Sequence, residues 1–130
     1  MIILADDLSG AQECAAAAMD LTPGELNAAT LSAATMLFNQ AIDLPEVDIC
    51  AVDVNSRSTN MEEAIGKTEL VLRHLPSQKD TASNDSDQVF FKFDSLLRGN
   101  IAAQLGAASK ELGPVVFCPA VPALNRVVNG

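Results

Sequence analysis

Tryptophan and tyrosine are missing from the 130 residues, and phenylalanine supplies all five aromatic rings. A core must therefore be assembled from Ala, Leu, Val and Ile. Histidine occurs once, as His74, which leaves a histidine-based zinc centre without ligands. Near the end of a predicted helix, His74 suits the dipole as a cation instead. The three cysteines, Cys14, Cys50 and Cys118, are far apart and make no CxxC pair. An odd count without metal spacing reads as reduced thiols, small core residues of a cytoplasmic protein. Positive charge is scarce as well: 8 Lys and Arg face 17 Asp and Glu, for a net charge of −9. That balance excludes nucleic acid and an anionic membrane surface as partners, because both are bound through clusters of Lys and Arg. No apolar run is long enough to span a bilayer. Met1-Ile2-Ile3-Leu4 leads straight into Asp6-Asp7 without the basic start of a signal peptide, so a cytoplasmic location is expected.

What is present suffices for folding. Nearly half of the chain, 48%, is hydrophobic, and its length allows one domain at most. Ile2-Ile3-Leu4-Ala5 reads as a buried strand. Ser9 and Gln12 have capping-box spacing and open an alanine-rich helix to about Asp20, before Pro23-Gly24 breaks the chain. From Glu25 a short helix is expected, followed by a strand at Thr35-Met36-Leu37-Phe38. Asp48 to Val54 reads as a strand. Thr59 with Glu62 caps a helix whose stripe is Met61, Ala64, Ile65, Thr68, Leu72 and Leu75, ended by Pro76. Ser77 to Asp87 is a polar loop, and Gln88 to Phe93 is the next strand. Ile101, Leu105, Ala108 and Leu112 share one helix face, stopped by Gly113-Pro114. Val115 to Cys118 is expected to be a final buried strand. Strands alternating with helices of this length imply an α/β fold in three layers, a mostly parallel sheet with helices on both faces.

In such sheets ligands bind at the carboxyl ends of the strands. Asp6, Asp7, Ser9 and Gly10 follow the first strand, and Asp53, Asn55, Ser56 and Arg57 the third. Asp94, Ser95, Arg98, Gly99 and Asn100 follow the fourth, and Asn125, Arg126, Asn129 and Gly130 the fifth. Three of the four arginines in this acidic chain thus fall just past strand ends. A guanidinium offers a planar fork of donors to a carboxylate or phosphate. Gly99-Asn100 opens a helix whose free N–H groups also favour an anion. Aspartates accept hydrogen bonds from hydroxyls and can act as bases towards an alcohol. Together these groups fit an anionic polyol such as a sugar acid. A purely architectural role fits several of them too. Asp94 with Arg98 can brace a loop, Ser9 and Asn100 can cap helices, and Asp6 and Asp7 can cap the first one.

Taken in order, Ala5-Asp6-Asp7-Leu8-Ser9-Gly10-Ala11, Asp53-Val54-Asn55-Ser56-Arg57-Ser58, Lys92-Phe93-Asp94-Ser95-Leu96-Leu97-Arg98-Gly99-Asn100 and Pro119 to Gly130 resemble the four-carbon acid sugar kinase family. The resemblance implies the sugar-acid-binding front part of an ATP-dependent kinase. Such an enzyme passes a phosphoryl group to the terminal hydroxyl of threonate, erythronate or a keto derivative. It implies ATP and magnesium as cofactors of the full enzyme, with neither bound tightly by residues 1–130. It also implies substrate-binding roles for Asp6, Ser9, Asp53, Ser56, Arg57, Ser95, Arg98, Gly99, Asn100 and Arg126. Arg57 and Arg98 would grip the carboxylate, while Asp7 or Asp94 orients or deprotonates the hydroxyl. No metal ligand is assigned.

Four positions depart from the family pattern: Phe91 for a lysine, Leu96 for a threonine, Gln104 for a glutamate and Asn125 for a glycine. No glycine-rich phosphate loop occurs, so the chain is expected to be a truncated portion, inactive alone. An unfinished sheet edge would favour a homodimer. Two other readings stand beside this one. A response-regulator receiver domain phosphorylated at Asp53 would use Asp6 and Asp7 as its acidic pair, but lacks a lysine at Cys118-Pro119-Ala120. A sugar-acid binding module without catalysis would keep the same residues.

Overall fold

Four apolar runs pair into one parallel sheet: β1 (Ile2–Ala5), β2 (Ala33–Leu37), β3 (Ile49–Asp53) and β4 (Val89–Lys92), in the order β2-β3-β1-β4. The computed structural model describes residues 1–20, 31–40, 42–75, 88–122 and 125–127. The expected break at Pro23-Gly24, the helix from Glu25, Pro76, the loop over 77–87, Asn129 and Gly130 lie outside the described residues. Every residue of β1 and β3 is buried, as inner strands of a parallel sheet require, whereas β2 at the edge alternates exposed and half-buried positions. The register sets Ala5 opposite both Asp53 and Lys92, so three strands end level with one another.

The two faces are covered differently. Ile3, Ala5, Ile49 and Ala51 pack beneath α1 (Leu8–Asp20) through Ala11 and Ala15. Ile2, Leu4, Cys50, Val52 and Val54 pack beneath α2 (Met61–Arg73) and α3 (Ile101–Leu112) through Val71, Leu72 and Ala108. The protein is thus a three-layer α/β fold, as its alternating pattern implies. The strand order also separates it from receiver domains, whose first strand lies between the second and third. Here β2 pairs directly with β3, which lies between β2 and β1. Among the described residues no helix is long and apolar enough to cross a membrane.

Helix starts shift by one or two residues from the sequence reading. Asp7, not Ser9, caps α1: its Oδ1 accepts the Gly10 N–H at 2.8 Å. Asn60, not Thr59, caps α2 by accepting the Glu63 N–H at 2.9 Å, while the Thr59 hydroxyl donates to the Ser56 carbonyl. Any short side-chain acceptor just before a helix satisfies the same free N–H groups, so spacing alone does not choose among neighbours. Met61, placed on the buried stripe, is exposed, and Val71 is fully buried instead.

The larger correction concerns Val115 to Cys118. The stretch forms no strand: after Gly113, at φ +90°, the chain makes no ladder with β4, and Val116 is 93% exposed. Cys118 is exposed with it rather than a core residue. Strand-like composition supplies apolar side chains, but backbone pairing depends on where the preceding helix delivers the chain. A cleft of about 400 Å³ lies along this side, lined by Phe91, Phe93, Leu105, Leu112, Val115 and Phe117 among others. None of the charged groups that follow β1 or β3 lines it.

Candidate functional site

Chain direction places the site before any side chain is considered. From β1 the chain passes over one face, through α1, to the far edge at β2; from β3 it passes over the other face, through α2, to β4. Adjacent strands whose connections leave in opposite directions open a crevice at their carboxyl ends. Asp6 and Asp7 follow β1 here, and Val54 to Arg57 continue from β3.

Arg57 is the hub. Its Nε and one terminal nitrogen form a fork on Asp6 at 3.0 and 2.9 Å, and its other terminal nitrogen meets Asp7 at 2.7 Å. Asp94 lies 3.9 Å away. Arg98 makes a second fork on Asp94, at 2.6 and 2.9 Å, and its side chain is 62% exposed. Groups 51 and 88 positions apart in the chain are thus tied together, for the Asp94 N–H also donates to Asp6. The Arg98 fork, its backbone N–H and the nearby Arg57 charge hold the Asp94 carboxyl well below the usual carboxylate range. The Asp6 fork and the charges of Asp6, Asp7 and Asp94 push the Arg57 guanidinium up. Asp53 differs: burial first, then the Asp7 and Asp6 charges, raise its carboxyl, against a lowering bond from Asn55.

The remaining predicted residues take distinct places. Ser56 is fully buried, and its hydroxyl donates to Gln104 Oε1 at 3.1 Å. Gln104 Nε2 donates to the Thr68 hydroxyl at 3.0 Å, which in turn donates to the Ala64 carbonyl at 2.8 Å. The Asn100 amide donates to the carbonyls of Ser56 and Thr59 at 3.1 and 2.8 Å. These contacts clamp the Arg57 loop onto α3. Ser9 and Ser95 are exposed, and Arg126 sits in a small antiparallel bridge with Val121, with no hydrogen bond or ion pair to the cluster. Asn125, which stands at a family glycine, has φ +55°; asparagine tolerates that left-handed backbone better than most residues.

Lys92 appears in the sequence reading only as the first residue of the motif that carries the resemblance, with no role at the site. It ends β4 level with Ala5, its Nζ donates to the Phe93 carbonyl at 3.1 Å, and it has no ion pair among the described residues. A methyl group at Gly10 would lie 2.9 Å from Asp7 Oδ1 and 3.2 Å from the Lys92 stem, so glycine lets Asp7 and Lys92 converge there. The available signal was a lysine as the last residue of a strand in a chain poor in cations.

Gly99 is required twice over. Its φ is +91°, and an added methyl group would stand 3.2 Å from the Arg57 carbonyl oxygen. Gly99→Ala is expected to cost about 1–2 kcal/mol from the backbone conformation alone. Thermal melts check this, and an unchanged melting temperature would show that the Arg57 loop yields freely.

The sugar-binding N-terminal domain family matches residues 1–130. A D-threonate kinase from Cupriavidus necator is 36% identical over 130 residues, covering 99% of this chain and 28% of the kinase. The chain therefore spans little more than a quarter of that relative's length. No solved structure matches.

Proposed function

The chain belongs to the sugar-binding N-terminal domain family, and from that premise we propose that it is the part of a sugar-acid kinase that holds the acid. The observation that carries this reading is the convergence of Arg57 and Arg98, from two separate strand ends, on Asp94 at the switch point of the sheet. The D-threonate kinase relative supports a four-carbon sugar acid as the ligand class. Because the chain spans only 28% of that kinase, acid binding is proposed for these residues, and ATP-dependent phosphoryl transfer to the terminal hydroxyl for a full-length kinase of the family.

The roles follow from which donors are free. All three Arg57 nitrogens already meet carboxylate oxygens, so its contribution is to order Asp6 and Asp7. Arg98 keeps one terminal nitrogen outside its fork, and Lys92 has no ion pair among the described residues. These two are assigned the ligand carboxylate. Magnesium does not fit this donor set: among the described residues no three acidic, histidine or cysteine side chains are placed to hold one ion, and of the carboxylates that meet here Asp6 and Asp94 are occupied by guanidinium. No step is therefore routed through it.

Thermal melts with four-carbon acids test the reading. At a hundredfold excess over Kd, D-threonate or an epimer is expected to add about 2.7 kcal/mol of stability. Neutral four-carbon polyols should add nothing. If no acid of the panel moves the melting temperature, acid binding by these residues is wrong.

A further inference from the structure

We propose that Asp53 is the carboxylate that receives the hydroxyl of the bound sugar acid. The inference rests on the acid-binding reading above and deepens it. Four carboxylates meet at this end of the sheet, and three have their oxygens occupied. Asp6 accepts from the Arg57 fork and from the Asp94 N–H. Asp7 accepts from the Gly10 N–H through one oxygen and pairs with Arg57 through the other. Asp94 accepts from the Arg98 fork and from the N–H groups of Leu96 and Arg98.

Asp53 is the exception. Its Oδ1 accepts the Asn55 N–H at 2.7 Å, while its Oδ2 has no hydrogen bond and the residue no ion pair among the described residues. It is only 6% exposed and closes the inner strand β3 beside the Asp6-Asp7 pair. No buried side-chain oxygen among the described residues lacks a partner, so the open Oδ2 of this mostly buried residue reaches the surface, where it can accept from an arriving O–H donor. The charged groups around it are Asp6 and Asp7 from the end of β1 and Lys67 from α2, which donates to the Asn55 carbonyl and pairs with Glu63. β2 carries no ionisable side chain, and Glu13 of α1 is exposed.

The same environment suits proton transfer. Burial and the two aspartate charges raise the Asp53 carboxyl, whereas Arg98 lowers that of Asp94, so Asp53 is the stronger base of the two. In the full reaction the hydroxyl oxygen would bond to the terminal phosphorus of a nucleoside triphosphate as its proton passes to Asp53. The bond from that phosphorus to the nucleoside diphosphate would break, and the diphosphate would leave with the electron pair.

Calorimetric titration with D-threonate and with its 4-deoxy analogue, 2,3-dihydroxybutanoate, tests the assignment. For the native protein, affinity for D-threonate should fall about tenfold per pH unit once pH drops below the Asp53 pKa. Asp53→Asn should bind D-threonate about tenfold or more weakly at pH 7, without that pH dependence, and should no longer prefer it over the deoxy acid. Without ligand, Asp53→Asn should melt no lower than the native protein, because a carboxylate that burial and the Asp7 and Asp6 charges disfavour has been removed and the Asn55 N–H keeps an acceptor. A merely structural role would lower the melting temperature and leave the hydroxyl preference intact. If Asp53→Asn keeps native affinity and pH profile, the Asp53 assignment is overturned while acid binding survives. If the native protein binds neither acid, both fall together.

Discussion

Arg57→Ala is expected to lower the melting temperature by about 10 °C and to weaken sugar-acid binding severely. The reason lies in Asp6, whose side chain is 2% exposed and whose oxygens both accept from the Arg57 fork. Removing one partner of a buried ion pair typically costs 3–5 kcal/mol, because the other charge is left without compensation. Arg57 itself is a quarter exposed, so water can reach part of the vacated space, and the low end, about 3 kcal/mol, applies. For a domain of this size that corresponds to about 10 °C. Lysine at this position should restore only part of the loss, since a single ammonium cannot reproduce a fork that spans two carboxylates. The pH dependence has a definite sign. The Asp94 carboxyl, held low by Arg98 and also by Arg57, contributes stability above its unfolded pKa that is lost as pH falls. The share of the variant's deficit that runs through Asp94 should therefore be full at neutral pH and shrink in acid. A melting temperature within about 2 °C of the native protein at pH 7 would show that the cluster does not hold the strand ends together.

Gln104→Glu should be the next most damaging change, and its effect should depend on pH. Gln104 is 2% exposed and uses both ends of its amide, accepting from Ser56 and donating to Thr68. A carboxylate cannot donate to Thr68, and no cation is bonded to this relay to compensate a new charge. The introduced carboxyl would therefore have its pKa raised in the folded state. With a folded value above the unfolded one, the penalty is absent at pH values below about 4.3 and grows as pH rises towards the folded value. At pH 8 a loss of about 3 kcal/mol is expected, and near pH 4 almost none, since the protonated acid can donate as the amide does. Gln104→Leu should instead cost about 1–3 kcal/mol at every pH, from the unpaired Ser56 hydroxyl. Melting curves at three pH values separate the two variants, and parallel losses would mean that the site is wetter than its burial implies.

The Gln104 amide serves a hydrogen-bond chain from the Arg57 loop to α2. That role was not visible in the sequence, where Gln104 lies one position from the apolar stripe of α3. Its partners Ser56 and Thr68 are 48 and 36 residues away. Lys92 is given no role in the sequence reading for a similar reason: strand periodicity counts it as a pleat residue, and only the level ending of β1 and β4 brings it beside Asp7 and Gly10.

The amino-acid order by itself determined the α/β class, the positions of four strands and three helices, and the three polar segments that follow β1, β3 and β4. Those features are local. Apolar runs, helical stripes and short capping side chains act over a few residues, so their signals survive without the fold. Tertiary structure alone decided the strand order, the refusal of Val115 to Cys118 to pair with β4, and which of the clustered aspartates is bound by guanidinium. Each of these depends on groups separated by many tens of residues, such as Asp6 with Arg57 and with the Asp94 N–H. A contact of that kind is set by the directions in which helices return the chain, and no spacing rule along the sequence encodes it.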